Sequence, residues 1–399
     1  MIVIGGGPAG LTAAIFASRA GLGALLVTED IGGLMLWTEE IENYPGLRKV
    51  NSRKLVDQMA KQAESFGTKI VKSTVRKVGR TKSGIELLTD AGKFEGKSLI
   101  IASGLKHRRL RVEGEDLPGV SYCAVCDGPL YEDMNVHVIG SGDSAMIDAI
   151  FLSKIAKSVN IIVIHEEPNL DASEYLKRRV LALRNIRFVW RSVVDKILGE
   201  KFVEGIQVRD LKTGKTVKLR GDAVFIKVGL VPRTEFLEGF VELTKEKFVK
   251  VADERALETS QEGVFAAGDV REKIQRQVAT AVGDGSLAAE SVFRYLEEQE
   301  YLDKMFESER IMVVSFWDSS VSSSSQDALL GRLERELGQK VGTLKVDCYK
   351  RKRMAERFGI KEVPSTLVMR KREILWQMTG EIGPNELIER VKVYLNREG

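Results

Sequence analysis

Cys123 and Cys126 stand two residues apart in the segment Cys123-Ala124-Val125-Cys126-Asp127-Gly128. At the start of a helix that spacing lets the two sulfurs close a disulfide ring, and the helix dipole lowers the pKa of one thiol so that it reacts as a thiolate. Asp127 is placed to supply or take the proton that thiol–disulfide exchange requires. A zinc site would need two more Cys or His ligands at suitable spacing. The only candidates are Cys348, His107, His137 and His165, none of them paired. The expected catalytic set is therefore Cys123, Cys126 and Asp127, with no metal.

Two glycine turns, one before that pair and one after it, read as dinucleotide-fold starts. The first is Gly5-Gly6-Gly7-Pro8-Ala9-Gly10, between an apolar run at 2–4 and an expected helix over 11–20. In such a turn Gly5 permits the tight bend, Gly7 lets a pyrophosphate approach the backbone, and Gly10 lets helix and strand pack closely. The helix N-terminus then offers N–H groups and a positive dipole end to the phosphate. A second strand over 24–28 leads to Glu29, near the ~20-residue offset of an acid that binds a ribose hydroxyl. The second turn, Gly140-Ser141-Gly142-Asp143-Ser144-Ala145, follows a strand over 136–139 and opens a helix to about 156. Its Gly140, Gly142 and Ala145 fit the same pattern. Its second strand, over 160–164, runs into His165, Glu166, Glu167 and then Asp171. Carboxylates there favour a free 2′-hydroxyl and repel a 2′-phosphate, so NADH is expected over NADPH.

The 399 residues suffice for two to three domains, and 43% apolar residues for several cores. A formal charge of +4 with both signs interspersed gives no argument for nucleic acid. Three cysteines exclude a small secreted disulfide scaffold. No signal-peptide pattern is seen, and no apolar run approaches the ~18 residues of a membrane span. The expected location is the cytoplasm.

The chain resembles the low-molecular-weight thioredoxin reductases of the flavoprotein disulfide reductase family over roughly residues 1–300. Beyond the cysteine segment, the resemblance is carried by Gly6-Gly7-Pro8-Ala9-Gly10, Glu42-Asn43-Tyr44-Pro45-Gly46, Ala102-Ser103-Gly104, Gly268-Asp269 and Arg276-Gln277-Val278. It implies an α/β fold with two Rossmann-like domains. The FAD domain is expected at 1–111 and 233–300, and an inserted NAD(P)-binding-like domain with the cysteines at 112–232. FAD would lie on the first turn (Gly5 to Gly10), with Glu29, Gly33, Leu34, Asn43, Val75, Ala102, Gly104, Gly268, Asp269, Arg276, Gln277 and Val278 around it. Gly140, Gly142, Ala145 and Glu166 would meet the nicotinamide cofactor. Cys126 would face the flavin and Cys123 would attack the partner, a small thioredoxin- or glutaredoxin-like protein. The inserted domain would swing between two positions, and the enzyme would be a homodimer.

Three departures stand out. The family's arginines after His165 are replaced by Glu166, Glu167 and Asp171. Gly32-Gly33-Leu34 lacks an amide that the family often carries after the two glycines. The chain also continues past residue 300. Residues 297–310 read as a helix end and linker, and 301–399 as a thioredoxin-like domain. Its expected order is strand 311–316, helix from about 327, strand 342–346, helix 351–358, strands 365–369 and 374–379, and a helix from Pro384. Val363-Pro364 resembles that fold's cis-proline site. Yet the expected redox loop, Asp318 to Ser325, holds no cysteine, so no exchange chemistry can occur there. Either a docking or dimer-stabilising module or a decayed fusion is expected there, and the basic runs at 350–353 and 370–372 read as solvated faces. Two other functions are compatible with the residues: a flavin-dependent NADH oxidase or diaphorase, and a non-catalytic flavin-binding scaffold.

Overall fold

In the computed structural model, which describes residues 1–319, 324–349 and 351–396, the chain forms two compact units, Met1–Val292 and Phe293–Gly399. The first unit contains two five-stranded parallel sheets. One runs in the order Val264–Ala266, Leu99–Ile101, Ile2–Gly6, Leu25–Ile31, Lys69–Lys72. The other runs Val120–Ser121, Ala223–Ile226, Asn135–Ile139, Ser158–Ile162, Ile186–Val189. Parallel strands are covered on both faces, which explains their unbroken apolar sequences: Ile2, Val3, Ile4, and likewise Ala223, Val224, Phe225, Ile226, are all buried.

Each parallel sheet is accompanied by a three-stranded antiparallel meander, at Val75–Arg80, Ile85–Thr89, Gly92–Gly96 and at Ser192–Leu198, Gly205–Asp210, Thr216–Arg220. The architecture is thus α/β with two Rossmann-type halves. Leu105–His107 pairs antiparallel with Leu230–Pro232, making a two-stranded ribbon where the chain leaves the first half and returns to it. Gly104 and Gly229 beside the ribbon both have positive φ, at 64° and 107°, conformations that glycine adopts without strain.

The expected elements around the turns are present. The first helix is Pro8–Arg19, starting earlier than expected because Pro8 occupies the first helical turn, where its missing N–H costs nothing. The strand Leu25–Ile31 runs past Glu29, and the helix Asp143–Leu152 ends before residue 156. Among the described residues no helix is long and apolar enough to cross a membrane.

The second unit has a four-stranded sheet in the order Val341–Asp347, Ile311–Trp317, Ser365–Arg370, Glu373–Thr379. The first pair is parallel and the other two are antiparallel. Ser324–Leu337, Lys352–Arg357 and Pro384–Leu395 are its helices, and Val363–Pro364 is cis. The expected linker over 297–310 is instead helical as far as Phe306, within the helix Val278–Phe306. The charged residues there hide a buried stripe: Leu302 and Met305 pack with Phe316 and Met354. In the expected cysteine-free loop, residues 320–323 lie outside the described residues, as does Lys350 of the first basic run.

Candidate active site

Cys123 and Cys126 form a disulfide with Cα atoms 5.3 Å apart. Cys123 caps the one-turn helix Ala124–Asp127, and its Sγ accepts the Cys126 N–H at 3.2 Å. Cys123 is buried while Cys126 is exposed. Ser121 braces the segment: its Oγ accepts the Cys123 N–H at 2.9 Å and donates to Asp127 Oδ2 at 2.6 Å. The Asp127 carboxylate is therefore held one residue from Cys126, oriented by a hydroxyl.

The first glycine turn lines a cavity of about 720 Å³. Gly5, Gly6, Gly7, Pro8, Ala9, Glu29, Gly33, Leu34, Val75, Ala102, Gly104, Gly268, Asp269, Arg276, Gln277 and Val278 all reach it. Gly10 does not. A Cβ there would stand 1.8 Å from the Gly5 carbonyl oxygen, so its role is close packing of helix on strand. Asn43 also stays off the wall, donating from Nδ2 to Gln277 Oε1 at 2.9 Å. Glu29 meets Arg233 at 3.3 Å.

This cavity fits an FAD on three observations. A Cβ at Gly7 would meet nothing within 4 Å, leaving the backbone open to a pyrophosphate. Asp269 Oδ1 and Arg276 Nε are buried without a hydrogen bond among the described residues. Burial raises the Asp269 carboxyl above its usual range, with Lys273 opposing. Such groups need polar partners, and a sugar-chain hydroxyl and a ring amide are of the right kind.

The second turn lines another cavity, of about 680 Å³, with Gly140, Gly142, Ala145 and Asp171 on its wall. Asp171 Oδ2 accepts from Ser141 Oγ at 2.5 Å and meets His165 Nε2 at 2.8 Å. Those contacts hold the Asp171 carboxyl below its usual range. Glu166 is not on this wall; it is exposed and lies 3.9 Å from Arg191. The two cavities share Leu105, His107, Ser144, Lys227, Leu230 and Arg276, and neither is lined by the cysteines.

Over residues 1–285 the chain matches the family described as pyridine nucleotide-disulphide oxidoreductase. It is 40% identical over 319 residues to the thioredoxin reductase of Streptomyces clavuligerus, covering 78% of this chain and 96% of that one. The chain belongs to this family, among its low-molecular-weight thioredoxin reductases. Two solved structures agree. The Lactococcus lactis thioredoxin reductase (FR conformation) has a TM-score of 0.71 at 37% identity, over 74% of this chain and 98% of that one. The T. acidophilum thioredoxin reductase has a TM-score of 0.69 at 34% identity, over 75% and 98%. The protein is thus an oxidoreductase, a flavoprotein disulfide reductase, and the Cys123–Cys126 disulfide fits its redox pair. Membership implies FAD and a pyridine nucleotide as its redox cofactors.

Trp37, Asp148 and Lys227 at this reductase's site are not singled out by the sequence, and His107 enters there only as a possible metal ligand. The Trp37 and His107 rings stack at 3.8 Å and 2° beside the junction of the cavities. Burial, with Lys227 and Arg233 nearby, lowers the His107 pKa to about 3, so this ring is neutral in the working range. Asp148 and Lys227 also line the first cavity. Their signal was available: each is a charge within or directly after an apolar run, Met146-Ile147-Asp148-Ala149-Ile150 and Val224-Phe225-Ile226-Lys227.

Proposed function

We propose that this chain is an NADH-dependent reductase of a thioredoxin-like protein disulfide. The reading is supported above all by one observation: a Cys123–Cys126 disulfide lies in the same compact unit as two glycine-turn cavities that adjoin each other. The relatives' name supports thioredoxin as the partner, with a glutaredoxin-like protein as the nearest alternative.

The bound flavin supplies two-electron transfer between the nicotinamide and the disulfide. Residues 5–9 would hold its pyrophosphate, Glu29 its ribose, and Asp269 and residues 276–278 its ribityl chain and ring, with Asn43 steadying Gln277. Gly140, Gly142 and Ala145 receive the nicotinamide cofactor's pyrophosphate. Asp171 rather than Glu166 is the carboxylate nearest the place of a 2′-phosphate, and it disfavours NADPH by charge. Each turnover takes two electrons and one proton from NADH and another proton from solvent, and opens one partner disulfide to two thiols. Cys123 attacks that disulfide, Cys126 resolves the mixed disulfide, and Asp127 moves the proton.

As the resemblance implies, residues 112–232 would reorient about the Leu105–His107 and Leu230–Pro232 ribbon, so that the cysteines meet the flavin in one position and the partner in the other. Residues 1–111 and 233–300 form the fixed FAD domain in this account. The enzyme acts in the cytoplasm as a homodimer, and residues 301–399 serve as a thioredoxin-like docking or dimer-stabilising module. Anaerobic absorbance near 450 nm tests the donor. Bleaching by NADH with little by NADPH is expected; preference for NADPH would overturn the donor assignment.

A further inference from the structure

Asp148 and Lys227 are buried together, with Nζ 2.9 Å from Oδ2 and side chains 3% and 4% exposed. Two desolvated charges seldom repay their burial in stability, so the pair calls for another role. Asp148 sits on the helix Asp143–Leu152 beside the buried Ala145, Met146, Ala149 and Leu152. Lys227 directly follows the buried strand Ala223–Ile226. From these separate elements both reach one segment. Lys227 Nζ donates to the Tyr122 carbonyl at 2.8 Å, and the nearby Ala124 N–H favours the charged form of the Asp148 carboxyl. The ion pair therefore stands against the backbone on either side of Cys123.

We infer that Asp148 and Lys227 form a charge-compensated positioning pair that sets the acidity of the Cys123 thiol, and with it the redox poise of the Cys123–Cys126 couple. The inference rests on the disulfide-reductase reading. Reduction of the disulfide takes two electrons and two protons to give two thiols. A nearby cation favours the thiolate and a nearby anion opposes it. While both are charged, Lys227 and Asp148 nearly cancel; removing either uncovers the other. The remaining groups around the segment are Asp127 on its own turn, Tyr131 beyond it, neutral His107 beside the Tyr122 ring, and Glu115 with Arg109 at the Tyr122 hydroxyl. None of them stands against the backbone on both sides of Cys123.

The test is the pH dependence of Cys123 alkylation by iodoacetamide, read by mass spectrometry on the full-length flavin-loaded protein after reduction by dithiothreitol. Asp148→Asn should move the Cys123 midpoint down by roughly one pH unit, and Lys227→Met should move it up by about as much. The double variant should return it near the starting value. Equilibration with glutathione buffers should show the same ordering, Asp148→Asn the more oxidising. Shifts of both single variants in one direction, or of neither, would overturn the inference, since a purely structural clasp would loosen alike from either side. If one single variant does not fold, the other still decides against the wild type: Asp148→Asn must move the midpoint down, or Lys227→Met up, and no shift or one of opposite sign would overturn the proposal. If dithiothreitol fails to open the wild-type disulfide, the reductase reading falls first and the inference with it.

Discussion

At the first glycine turn the second strand continues to Ile31 and its Glu29 is countered by Arg233; at the second the strand stops at Ile162 and a loop carrying Glu166, Glu167 and Asp171 follows. The packing differs too. Gly10 lies so close to the Gly5 carbonyl that no side chain fits, whereas the matching place in the second turn is Ala145, which the space beside Gly140 accepts. On the proposed reading one supersecondary design would serve two ligands, with close packing fixing the first turn and charge tuning the second. The first half would only hold its cofactor, while the second would bind and release one beside the reactive thiols.

The largest separation of the two halves should come from Cys123→Ser. Disulfide reduction should fall by about a thousandfold or more, while flavin content and bleaching by NADH persist; an assay of partner thiols against 450 nm absorbance reads both. Gly10→Val should strike the other half. It forces helix from strand against a backbone oxygen, a strain of ~1–3 kcal/mol or more, and the purified protein should lose most of its flavin absorbance. Gly142→Ala meets nothing within 4 Å, so the fold and flavin should survive while the rate of NADH reduction drops about tenfold. Asp171→Arg should raise NADPH use relative to NADH by roughly tenfold, read from kcat/KM with each donor. The smallest effect should be that of Ser121→Ala, which frees Asp127 from its hydroxyl donor and should slow turnover a few-fold, the loss growing where proton transfer limits the rate.

Much of this was legible because it is local. Gly5-Gly6-Gly7 and Gly140-Ser141-Gly142 declare a strand–turn–helix by steric need, and the Cys123–Cys126 spacing declares a disulfide ring. In the second unit, hydrophobic alternation and Pro384 gave each strand and helix to within a few residues. What escaped needed contacts far apart in sequence. Asp148 and Lys227 meet only because a helix and a strand end converge. Asn43 reaches Gln277 across the whole inserted half. Glu166 looked as well placed as Asp171, but the turn at Glu167–Pro168 and the anchoring of Asp171 by Ser141 decide which carboxylate faces the cavity. Charge density over 297–304 read as a linker because the buried Leu302 and Met305 stand among a majority of charged neighbours.

The most direct test of the whole account is to mix the oxidised protein anaerobically with excess NADH, quench with iodoacetamide, and map the alkylated cysteines. The account predicts flavin bleaching followed by alkylation of Cys123 and Cys126 in the same molecules, with Cys348 no more reactive than before, its half-buried thiol being pushed up to about 11. A bleached flavin with the Cys123–Cys126 disulfide still intact would contradict it.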